Sequence, residues 1–197
     1  MDDAIKSARE IAMEKLAEIG EPTEEERLEW KYVPEGEKLA TKYLKKNANL
    51  TLELGQYPEP AKRFVIQGLS AVLIRNINLP VSDLSKRTNK QAMEGLKIVK
   101  RDQVGVENVY SKMRRIFDHY SGEGAQQKKQ AYEALKFELE AQVKQAMQQQ
   151  LGTFTGFRID VEKQPQFQTE WRRRELQFDS QYLSILEEYK QELSAIS

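Results

Sequence analysis

The 197 residues carry 31 basic and 31 acidic side chains, a formal net charge of zero, with 39% hydrophobic and 31% charged residues. That balance has less apolar and more charged material than an average domain, which suits long helices with wet surfaces, and a chain of this length needs no metal or disulfide staple. The absence of cysteine removes disulfides, thiolate nucleophiles and zinc–thiolate sites together. No apolar run approaches the roughly 20 residues that span a membrane. No apolar stretch follows Met1-Asp2-Asp3 as a signal peptide requires, so the expected location is the cytosol.

Apolar residues at three- and four-residue steps predict a first helix over about Ala4–Ile19, closed by Gly20 and Pro22. Thr23-Glu24-Glu25-Glu26 has the spacing of a capping box, with Thr23 as cap and Glu26 reaching back. A short helix to about Tyr32 follows, and Pro34 opens another at its first turn, through Leu39, Tyr43 and Leu44. Asn47 to Pro60 is dense in Asn, Gly and Pro and reads as loop with one helical turn, the expected internal boundary. Ala61–Asn78 is the most apolar helix, ended by Pro80. Asn89–Arg101 and Val104–Tyr120 are the next two, with Gly122 and Gly124 expected to break the second.

Two long helices dominate the rest, about Ala125–Leu151 and about Pro165–Ala195. The first carries a stripe through Leu135, Leu139 and Val143, the second through Phe167, Trp171, Phe178, Tyr182, Ile185, Tyr189 and Leu193. Each would be about 40–45 Å long, against a radius of gyration of roughly 16 Å for a compact chain of this size. Their near-heptad stripes predict an antiparallel hairpin spanning 125–195. Between them Phe157, Ile159 and Val161 alternate with Arg158 and Asp160, a strand pattern near 153–161. A lone strand leaves its backbone groups unpaired, so Phe157, Ile159 and Val161 are candidate interaction residues, with Arg172 and Arg173 beside them. The expected fold is therefore mainly α: a multi-helix bundle with a long C-terminal hairpin and one short strand. Residues 1–60 form short helices and residues 61–197 the helical core, in one structural unit.

Chemistry is sparse. His119 is the single histidine. Asp118 and Ser121 are close to it in sequence, but neighbours on a helix point in different directions, which argues against a local triad. Asp118, His119 and Glu123 remain the weak candidate site for a carboxylate-based enzyme. No phosphate-binding loop, dinucleotide fingerprint or metal-ligand spacing is present, so no catalytic, cofactor or metal residue is assigned. Charge is uneven: residues 1–30 carry 4 basic and 10 acidic side chains, a net of −6, and residues 61–115 carry 12 basic and 4 acidic, a net of +8. The basic segment 61–115 could face nucleic acid, or it could dock the acidic N-terminal helices. The leading expectation is a non-enzymatic protein that binds a protein partner or forms a homo-oligomer through the hairpin. A nucleic-acid- or ribosome-associated factor is the alternative.

Three stretches carry a resemblance: Val33 through Leu44 (VPEGEKLATKYL), Asp118 through Lys136 (DHYSGEGAQQKKQAYEALK) and Val161 through Arg173 (VEKQPQFQTEWRR). Together they resemble an uncharacterised bacterial family of helical proteins of about this length, a domain of unknown function. The resemblance implies a helical fold and assigns no functional residue.

Overall fold

The computed structural model describes residues 22–46, 48–151 and 160–196. The helix expected over Ala4–Ile19, and Phe157 and Ile159 of the expected strand, lie outside them. Among the described residues every regular element is helical, which meets the expected mainly-α class. The chain divides into two compact units, one ending at Val72 and one beginning at Leu73. That division falls inside a continuous helix rather than at the punctuated loop before residue 61.

The first unit holds α1 (Glu24–Leu44), α2 (Leu50–Leu54) and most of α3 (Glu59–Arg75). The capping box forms as expected: the Glu26 amide donates to Thr23 Oγ1 at 3.2 Å, and the Thr23 amide donates to Glu26 Oε2 at 2.7 Å. The Thr23 amide, and the Thr23 hydroxyl at 2.8 Å, donate to the Glu26 carboxylate and hold it below its usual range. The expected break before Pro34 does not occur, because α1 runs through it. Proline removes one backbone hydrogen bond, and Pro34 is exposed, so water can serve the carbonyl left over. Asn49 caps α2 by accepting from the Thr51 and Leu52 amides.

Helices α1 and α3 touch backbone to backbone. A Cβ placed on Gly36 would clash with the Val65 carbonyl and sit 2.9 Å from the Leu69 nitrogen; one on Gly68 would clash with the Val33 carbonyl, 2.9 Å from its carbon. Only glycine, lacking a Cβ, allows this approach. Polar contacts follow the same crossing: Arg63 pairs with Glu25 at 2.6 Å, and Gln67 Nε2 donates to Glu29 at 3.0 Å.

The second unit contains α4 (Asp83–Val99), α5 (Gln103–His119), a π turn (Tyr120–Gly124), α6 (Ala125–Leu151), a 3₁₀ turn (Val161–Lys163) and α7 (Pro165–Ala195). Helix α4 begins six residues before the expected Asn89, because Ser82 and Ser85 cap it reciprocally. Asn89 is buried at 4% exposure and clamps the chain ahead of the helix. Its side chain accepts from the Asn78 amide at 2.9 Å and donates to the Asn78 carbonyl at 2.6 Å.

Gly122 and Gly124 do not break the helix. Residues 103–151 are helical without interruption, the π turn joining α5 to α6. Helix α7 runs antiparallel along this rod, as the partners show: Lys112 meets Glu192, His119 meets Tyr182, Lys128 meets Asp179, and Tyr132 meets Trp171 edge to face. The expected hairpin is thus observed, with its first arm extended back through α5.

Val161 is in a 3₁₀ turn and not in a strand, and it is 1% exposed. It packs with Leu135, Leu139 and Phe167, with Tyr132, Val143 and Trp171 around them. Burying each such side chain contributes about 1.5–3 kcal/mol, which outweighs any strand preference of one valine. No helix in the described residues is long and apolar enough to cross a membrane.

Candidate functional site

The π turn interrupts the regular α-helical rod of the second unit, and it sets which side chains face α7. Sixteen residues separate Ile116 from Tyr132. In an uninterrupted α-helix that spacing would rotate one about 160° from the other. The extra residue of a π turn takes back about 100° of it. Ile116, Tyr120, Lys128 and Tyr132 therefore all lie toward α7.

Around the turn sits a partly buried polar network. Lys128 Nζ lies 3.0 Å from Asp179 Oδ1 and 3.1 Å from Glu175, and the Tyr120 hydroxyl donates to Asp179 Oδ1 at 3.0 Å. The Lys128 and Asp179 side chains are only 20% and 21% exposed. Burial by itself would lower the Lys128 pKa, but the two carboxylates outweigh it and hold the ammonium above its usual range. Burial, then the bond to Asp179, raises the Tyr120 phenol. The Lys128 ammonium also lies over the Tyr120 and Phe178 rings. Gly124 makes room here, since a Cβ on it would stand 2.8 Å from the Tyr182 hydroxyl.

The structure separates the weak candidate trio. His119 Nδ1 shares a hydrogen bond with the Tyr182 hydroxyl at 2.8 Å, and its Nε2 lies 3.2 Å from Glu123. It lines an open groove of about 410 Å³ with Lys112, Arg115, Ile185 and Tyr189. Asp118 and Ser121 line a different groove of about 400 Å³ between α4 and α5, floored by Met93, Tyr110 and Phe117. His119 and Ser121 therefore open onto separate grooves. Among the described residues no three His, Asp or Glu side chains gather as a metal site.

Many cations of the basic segment are spoken for. Lys97 and Arg114 both pair with Glu107, Lys86 with Asp83, Lys90 with Glu94, Lys112 with Glu192, and Arg63 with Glu25. Lys100, its pKa lowered by burial, donates to the Ser194 and Ile196 carbonyls at the end of α7. Of the expected interaction residues, Val161 is in the core, Arg173 pairs with Glu170 at 3.0 Å, and Arg172 is exposed beside Leu176.

Sequence reasoning missed the outer face of α7. Leu176 and Leu183 are 64% and 48% exposed. Their seven-residue spacing was a readable signal, overshadowed by the stronger aromatic stripe on the same helix.

Fold and site together define an all-helical protein built on a long helical rod with an antiparallel partner, keyed at a π turn. The chain belongs to DUF6657, a family of unknown function, whose model matches residues 51–195. Two of the three stretches that carried the resemblance fall within the match, and Val33 through Leu44 precedes it. No curated protein and no solved structure matches the chain.

Proposed function

We propose that the chain works by protein–protein interaction, without catalysis, through the outer face of α7. The observation that carries this reading is the pair Leu176 and Leu183, exposed at heptad spacing on a helix whose side toward the rod is already buried through Phe167, Leu186 and Leu193. Two leucines one heptad apart on a straight helix form a seam for a second helix. The ion pairing of so many cations in the basic segment favours this reading over nucleic-acid binding, which needs cations available to phosphates. The separation of Asp118 from His119 favours it over a carboxylate enzyme. The reading takes the cytosol as the place of action.

The test places a photo-crosslinking amino acid at Ser180, between the two leucines, in source cells, with lysates split for nuclease treatment. Protein adducts that survive nuclease and disappear in L176S/L183S support the reading. Adducts that vanish with nuclease would transfer it to nucleic-acid association. Absence of adducts in both arms would overturn it.

A further inference from the structure

The exposed face of α7 is charged oppositely at its two ends. Arg172 and Arg173 precede Leu176, while Glu187 and Glu188 follow Leu183, all four exposed. The spacing is symmetric about Ser180: Arg173 stands seven residues before it and Glu187 seven after, Arg172 eight before and Glu188 eight after. Leu176 is four before and Leu183 three after. At 100° per residue, Arg173, Leu176, Ser180, Leu183 and Glu187 fall within an arc of about 80°.

A face with this pattern is complementary to itself. When two copies of one helix pair antiparallel about a two-fold axis, residues equidistant from the axis meet, each contact occurring twice. With the axis at Ser180, Arg173 meets Glu187 of the second copy, about 10 Å to either side, while Arg172 and Glu188 stand on opposite flanks of the face and add to the charge of its ends. The leucines close the middle, Leu176 of each copy beside Leu183 of the other. Serine, small and uncharged, stands where the two helices approach most closely. A parallel pairing would instead set arginines on arginines and glutamates on glutamates, which is unfavourable. The groups that hold these charges now are near neighbours on the same helix, Glu170 for Arg173 at 3.0 Å and Lys190 for Glu187 at 3.8 Å. Exposed pairs of that kind are worth little and exchange readily.

We infer that the partner of α7 is α7 of a second copy of this chain, in an antiparallel two-fold pair centred on Ser180. This rests on the interaction reading above and names its partner.

The test uses the full-length chain and two charge-reversed variants. R172E/R173E makes both ends of the face acidic, and E187K/E188K makes both ends basic. Sedimentation equilibrium of the wild type should show a reversible dimer weakened by salt. Each variant by itself should dissociate at least about tenfold more readily. An equimolar mixture of the two variants should recover a dimer made of one chain of each kind, because acidic ends then meet basic ends. Circular dichroism should show unchanged helicity, since all four positions are exposed. A wild type that stays monomeric at the highest soluble concentration, or variants that dimerise like the wild type, would overturn the inference. If the wild type is monomeric while Ser180 crosslinks another protein in cells, only the identity of the partner fails. If there are no crosslinks either, both readings fail.

Discussion

The contact of α1 with α3 makes a quantitative expectation about Gly36→Ala. In an exposed helix interior, alanine is better than glycine by about 1 kcal/mol, so propensity alone predicts stabilisation. Packing opposes this, because the new Cβ meets backbone that cannot rotate away. Relieving the contact with the Leu69 nitrogen, from 2.9 Å to an ordinary 3.4 Å, already needs the helices to part by about 0.5 Å, and the Val65 carbonyl demands more. Separation also opens gaps beside Leu39, Ala40, Val65 and Leu69, all 3% exposed or less. Overpacking of this kind costs about 1–3 kcal/mol, and the rigid neighbours put it at the upper end. The net loss is about 2 kcal/mol, or a melting midpoint lower by about 4–8 °C for a chain of this size. Urea denaturation followed by circular dichroism measures it, and hydrogen exchange should localise the faster opening to α1 and α3. Gly122→Ala is the matched control: nothing lies within 4 Å of its Cβ, so it should be neutral or stabilise by up to about 1 kcal/mol. If G36A is as stable as G122A, the backbone contact between α1 and α3 is wrong.

Replacing Lys128 by methionine should destabilise the second unit by about 1–3 kcal/mol, because Asp179 stays largely buried without its cation; a double-mutant cycle with D179N should return a clear coupling energy. Glu162 accepts from the Tyr132 hydroxyl at 2.6 Å and pairs with Lys136 at 3.2 Å, and these two bonds lower its pKa from 4.5. A carboxylate lowered on folding stabilises fully above its unfolded pKa and loses that contribution as pH falls through the folded value. The urea midpoint should therefore drop below pH 4.5, and E162Q should flatten part of that drop. The bond to Glu162 raises the Tyr132 phenol from 10.0 to about 12, so its contribution is complete below pH 10.0 and lost as pH rises through about 12; Y132F should remove that alkaline loss. Lys100→Ala should leave the global midpoint nearly unchanged but speed amide exchange in the last turn of α7, whose carbonyls Lys100 holds; unchanged exchange there would refute the capping role.

Helix positions were legible where a stripe and its punctuation agreed. The limits of α6 and α7, and the cap at Thr23, follow from periodicity and capping chemistry that act within a few residues. Local punctuation misled where the outcome depended on distant groups. Pro34 and Gly122 both have the composition of a helix end, yet α1 continues because Pro34 faces water, and the π turn carries the rod past Gly122. Asn89, the expected first residue of a helix, is a buried clamp on Asn78 in the middle of one. As for the candidate site, Asp118, His119 and Glu123 were found as neighbours in sequence, but a helix turns about 100° per residue, so only His119 and Glu123 share a side.

By itself, the sequence determined the helical class, the long antiparallel pair and the amphipathic stripes, because those follow from short-range spacing. Its symmetric charges about Ser180 are equally a property of the chain. Tertiary structure alone decided which stripe on α7 is buried. It also decided that Val161 belongs to the core, that Gly36 and Gly68 are contact points, and that Lys128 finds Asp179 fifty-one residues away. Each of these depends on which surfaces meet, and burial is a property of the assembled elements and not of any one of them.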